Sequence, residues 1–186
     1  MDTGVLIVIV VVLVVIAVAA VLLAQRRRTD RLQQQFGPEY QRTVSRAGDR
    51  RAAESELAAR TQRRQELPII TLEPAAQARY QQEWLTTQGK FVDDPAGATR
   101  EADMLVERVM RDRGYPVDDD FERQAGVVSV DHPQVAENYR AAHAVYRANE
   151  KGLASTDDLR QAFVHYRSLF AQLLDVDGDE RKEAHQ

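Results

Sequence analysis

"VLIVIVVVLVVIAVAAVLLAQRRR", residues 5–28, decides where the rest of the chain sits. Val5 to Ala24 is an unbroken apolar run of 20 residues. As a helix it would be roughly 30 Å long, the thickness of a bilayer's hydrocarbon core. Val and Ile dominate it, and in water both are mediocre helix formers. In lipid that preference loses, because every backbone N–H and C=O must be bonded within the segment and a lone strand cannot do this. A transmembrane helix is the expectation.

A cleaved export signal would need a basic opening, a shorter apolar core and a small-x-small cleavage site. Ala17-Val18-Ala19 imitates the last of these. The first two are missing. The chain opens Met1-Asp2-Thr3-Gly4, and the basic residues come after the run, at Arg26, Arg27, Arg28 and Arg31. Positive charge stays on the cytoplasmic side. These four arginines are expected to contact the membrane surface, with the N-terminus outside and the remainder of the chain in the cytosol. The 22 arginines against three lysines fit a GC-rich bacterial coding bias. The expected location is therefore a bacterial plasma membrane, crossed once. The bland reading of Arg26 to Arg28 is a stop-transfer flank, which nearly every anchor carries.

Charge divides the rest of the chain. Residues 26–66 hold 11 arginines against six acids, a net of +5, and residues 67–186 hold 14 basic residues against 22 acids, a net of −8. The basic segment would lie beside a negatively charged leaflet, where each nearby basic side chain contributes about 1 kcal/mol. Leu32, Phe36, Tyr40 and Val44 recur every four residues there, interrupted by Gly37-Pro38. Asp49 can cap "RRAAESELAARTQRRQEL", which has little apolar surface beyond Ala and Leu57. No heptad seam is sustained, so a solvated helical stalk is expected. "LPIITLEP" (67–74) reads as a linker bracketed by prolines.

Helical blocks with clear punctuation come next. The first runs from Pro74 to Val92, with Ala78, Trp84, Leu85, Phe91 and Val92 inward. Asp94 caps a second opened by Pro95, striped by Ala98, Ala102, Leu105, Val106, Val109 and Met110 and stopped at Gly114-Tyr115-Pro116. A short helix around Asp119 to Ala125 leads into "GVVSV" (126–130), read as a buried loop or strand-like plug. Pro133 opens the next helix, with Val135, Tyr139, Ala142, His143 and Tyr146 on one face. Ser155-Thr156-Asp157-Asp158 forms a capping box for a last helix whose stripe runs from Leu159 through Phe163, Tyr166 and Phe170 to Leu174. That stripe marks it as the central packing element, set against the Pro95 and Pro133 helices. The expected class is all-α: an N-terminal tail and transmembrane helix (1–25), a basic helical juxtamembrane segment (26–66), a small cytosolic helical bundle (67–175) and an acidic disordered tail (176–186).

At "FGPEYQRTV", "FVDDPAGATREADMLVERVMRDRGYP", "VSVDHPQVAENYRAAHAV" and "LRQAFVHYRSLF" the chain resembles an uncharacterised family of small, single-pass membrane proteins frequent in actinobacteria. The resemblance covers nearly the whole chain. It implies an anchor, an Arg-rich segment and a helical domain, and it brings no functional residues with it.

Chemistry is hard to place. Without cysteine there is no disulfide, thiolate metal site, Cys nucleophile or lipoprotein attachment. His132, His143, His165 and His185 show no metal-ligand spacing. His143, on an apolar stripe, reads as a partly buried, hydrogen-bonded core residue, and His132 as a helix cap. "DVDGDE" (175–180) departs from a calcium loop, with Gly178 at position 4 and Gln186 where the bidentate Glu belongs. Asp118, Asp119 and Asp120 read as capping residues at a helix start. No Gly-rich phosphate loop or nucleophile motif occurs. The acidic folded part and the paucity of aromatics in the basic segment argue against nucleic acid. The residues nominate no catalytic, cofactor-binding or metal-binding set, so the chain is not read as an enzyme. By elimination the expected partners are the lipid bilayer and another protein, bound by a tethered, cytosol-facing helical module. The alternatives are a structural anchor that self-associates into a homo-oligomer through the small pair Ala20 and Ala24, and an enzyme with an unrecognised site.

Overall fold

The computed structural model describes residues 3–174, with side chains from residue 11 onward. All regular structure among them is helical: α1 (Thr3–Phe36), α2 (Pro38–Ala47), α3 (Arg50–Gln65), α4 (Pro74–Lys90), α5 (Pro95–Arg113), α6 (Phe121–Asp131), α7 (Pro133–Glu150) and α8 (Thr156–Leu173). The chain forms two compact units, residues 1–57 and 58–186, which divide within α3.

In the first unit, α1 is a single helix of 34 residues. Gly37, with φ 47°, and Pro38 at the start of α2 end it. Proline suits the first turn of a new helix, where no N–H is required. Gly48, with φ 68°, closes α2 in the left-handed conformation that glycine tolerates best. Asp49 then accepts the Ala52 N–H at 2.9 Å and opens α3. These two turns bring α3 back beside α1. Thr29 Oγ1 on α1 and the Tyr40 hydroxyl on α2 both donate to Glu54 Oε1 on α3, at 2.8 and 3.0 Å. Leu32, Phe36, Tyr40, Ala53 and Leu57 are buried. Residues 26–57 are therefore helical, as expected, but they fold back on themselves instead of extending as a stalk.

Among the described residues no helix is long and apolar enough to cross a membrane. The described side chains of the apolar run begin at Val11, so its opening portion, Val5 to Val10, lies outside them.

The second unit is built around α8, which packs against both α5 and α7. Prolines at the first turns of α4, α5 and α7 set three helix starts. The Ser155–Asp158 capping box sets a fourth, with both reciprocal bonds made. Asp94 caps α5 through the Gly97 N–H. The core joins Trp84 of α4, Leu105, Val109 and Met110 of α5, Val128 of α6, Tyr139 of α7, and Phe163, Tyr166, Leu169 and Phe170 of α8. Trp84 stacks on Phe170 at 4.7 Å and tilts against Phe163 at 5.0 Å.

The linker before α4 is pinned to the bundle. Ile70 N–H donates to the Arg113 carbonyl, and Arg113 Nε donates back to the Ile70 carbonyl at 3.1 Å. The chain can come this close because residue 114 is glycine. Its φ is 91°, and a Cβ there would stand 2.8 Å from the Pro68 oxygen.

Two local expectations fail. "GVVSV" is no loop or strand-like plug: it is the second half of α6, with residues 126–129 buried. On α4 the inward set is Tyr80, Trp84 and Thr87, with Phe91 half-buried beyond it; Ala78, Leu85 and Val92 are exposed.

Candidate functional site

Two places combine charge with a shaped environment. The first lies on α1. From Val11 to Leu23 its large apolar side chains are 49–62% exposed. A contiguous apolar surface of this kind, left open to water, marks a membrane or protein contact. Arg26, Arg27, Arg28 and Arg31 come directly after it, all exposed. Beside them the fold-back of α3 forms an open groove of about 1060 Å³. Leu22, Arg26, Arg28 and Thr29 line one wall, and Arg50, Arg51 and Ser55 line the other. Arg27 and Arg31 do not line it. The arginines expected at a membrane surface are thus split between the groove and another face of α1.

The groove's carboxylates are Asp30, Asp49 and Glu54. Asp49 is committed to capping α3, and Glu54 accepts from Thr29 and Tyr40. The Tyr40 phenol is held above its usual pKa by burial first and by Glu54 second.

No protein-family profile, curated protein or solved structure matches the chain. The residues themselves must therefore carry any functional reading.

The second place is inside the bundle. Asp103 on α5 is a buried carboxylate with a side chain 5% exposed. The Tyr166 hydroxyl of α8 donates to its Oδ1 at 2.7 Å. His143 of α7 sets Nδ1 at 3.8 Å from the same oxygen, beyond hydrogen-bond reach. That nitrogen is buried without a hydrogen-bond partner. The imidazole instead lies flat on Phe121, with centroids 3.7 Å apart and an interplanar angle of 7°. His143 is partly buried, as expected, but it is held by stacking and not by a hydrogen bond. Burial, then the Asp103 charge, drive the Tyr166 phenol far up, and the same two causes lead in raising Tyr139. Glu107 is raised by burial first and by Asp103 second.

This constellation is a polar tie between α5 and α8. Among the described residues it sets no nucleophile beside a base, and a tyrosine whose pKa is raised is a poor general base. Among the described residues no group of three or more His, Asp or Glu side chains could hold a metal ion.

The other nominated residues have local roles. Asp120 caps α6 through the Arg123 N–H. Asp118 pairs with the Arg123 side chain, which holds its carboxyl below the usual range. His132 occupies the position before α7 but makes no side-chain cap; its ring meets Gln172 at 3.2 Å. "DVDGDE" and His185 lie outside the described residues. Sequence reasoning passed over Asp103, Arg50 and Arg51. Asp103 had a readable signal, a carboxylate set directly between Ala102 and the Leu105–Val106 stripe.

Proposed function

We propose that the chain is a membrane-tethered helical module, anchored by the Val5–Ala24 run, with its bundle facing the cytosol and binding another protein. The observation that carries the tether is the exposed apolar surface of α1 from Val11 to Leu23, ending at consecutive arginines. Water penalises such a surface by about 25 cal/mol for every Å² left exposed, and a bilayer removes the penalty. The +5 charge of residues 26–66 supports the cytosolic side for the bundle. The resemblance to anchored actinobacterial proteins points the same way.

The protein-binding role rests on the bundle itself. The buried Asp103–Tyr166 pair ties α5 to α8, and the bundle has its own core, so the tether localises a folded surface. Chemical crosslinking in the native membrane, with solubilisation and isolation of the tagged chain, tests this role. A distinct protein in stoichiometric yield is the expected result. Recovery of crosslinked copies of this chain alone would transfer the reading to a self-associating anchor, with Ala20 and Ala24 at the contact.

A further inference from the structure

We propose that the groove between α1 and the start of α3 binds the phosphate of an anionic phospholipid headgroup. The inference rests on the tethered reading and adds a ligand and a site to it. Four guanidinium groups, Arg26 and Arg28 from α1 and Arg50 and Arg51 from α3, line one groove. All four are exposed, and among the described residues none makes a salt bridge or donates a hydrogen bond. Elsewhere in the first unit Arg46 pairs with Glu56, so this lack of partners is local. Of the three carboxylates nearby, Asp49 and Glu54 are already engaged, which leaves Asp30 as the competing anion. Guanidinium forks match phosphate oxygens in pairs. Ser55 adds a hydroxyl to the same lining, whereas the Thr29 hydroxyl is already given to Glu54.

Height along α1 selects the source of the phosphate. Arg26 and Arg28 stand two and four residues past Ala24, about 3 and 6 Å along the axis. The polar layer on each side of a bilayer is roughly 5–7 Å deep. The fold-back at Gly37 and Gly48 brings Arg50 and Arg51 to the same groove, so four charges gather in the headgroup layer. Leu22, in the last full turn of the apolar run, forms part of the lining. A headgroup still attached to its acyl chains meets both the arginines and this apolar end. A free phosphate ion has no use for the second.

The test uses the full-length chain reconstituted in phosphatidylcholine vesicles that carry a trace of spin-labelled phosphatidylglycerol or spin-labelled phosphatidylcholine. The fraction of motionally restricted label reads the preference for the anionic lipid. The parent should prefer it, and R50Q/R51Q should weaken that preference roughly 25-fold, given roughly fivefold for each basic side chain at the surface. R28Q, on the opposite wall, should weaken it roughly fivefold. R27Q/R31Q, which removes the same charge outside the groove, should weaken it clearly less than R50Q/R51Q does. Equal losses in R50Q/R51Q and R27Q/R31Q would mean diffuse attraction and overturn the site. Displacement of the labelled lipid by millimolar inorganic phosphate would assign the groove to a soluble anion and overturn the headgroup. If the chain fails to stay with neutral vesicles at high salt, the tether itself is wrong and the groove proposal falls with it. Retention without anionic preference overturns the groove alone.

Discussion

Phe163→Ala should cost about 3–5 kcal/mol of folding stability. The ring is 7% exposed and lies between Trp84 and Phe91, with centroids 5.0 Å from each. Truncation leaves a void between Trp84 on α4 and Phe91 just past its end. A domain of this size has only about 5–15 kcal/mol in hand, so thermal melts of the full-length protein in mild detergent should show a large drop for the bundle transition. Ser168→Ala is the control. Ser168 is half-buried on the same helix and its hydroxyl makes no hydrogen bond among the described residues, so its change should stay below about 0.5 kcal/mol. An unchanged melt for Phe163→Ala would mean that the ring is a docking surface and not core.

Tyr166→Phe should cost about 2–3 kcal/mol, because among the described residues it removes the one hydrogen-bond donor to a buried carboxylate. The neighbouring His143 nitrogen, 3.8 Å away, is not positioned to replace it. Most of that cost is the Asp103 charge left without a partner, so removing the charge as well should recover much of it. The double variant Asp103→Leu, Tyr166→Phe is expected to melt closer to the parent than the sum of the two single variants places it. Denaturant melts of the four proteins give the coupling directly. Simple additivity would show that Asp103 and Tyr166 do not act as a pair.

Both predictions concern α8, and α8 was legible in the sequence for a physical reason. Its capping box and apolar stripe are local signals that agree with each other. The starts of α5 and α7 were legible in the same way, through Pro95 and Pro133. α6 was not. Val127, Val128 and Val130, coming after Gly126, have weak helix propensity and favour strands, and only burial against the bundle makes them helical. On α4 the eye is drawn to Leu85 and Val92, whereas the packed face is set by Tyr80, Trp84 and Thr87 at helical spacing. The same divide separates the two halves of the groove. Arg26 and Arg28 announce themselves by their place directly after an apolar run. Arg50 and Arg51 become neighbours of that run only through the left-handed turn at Gly48 and the bend at Gly37, which no local pattern of residues 50 and 51 encodes.

The central claim, a tether with the bundle inside the cell, is tested most directly by the accessibility of one cysteine. The chain has none of its own, so Gln186→Cys creates a unique thiol at the far end of the sequence. In intact cells a membrane-impermeant maleimide should leave it unlabelled, and after lysis the same reagent should label it fully. Labelling of intact cells would place the bundle outside and contradict the account.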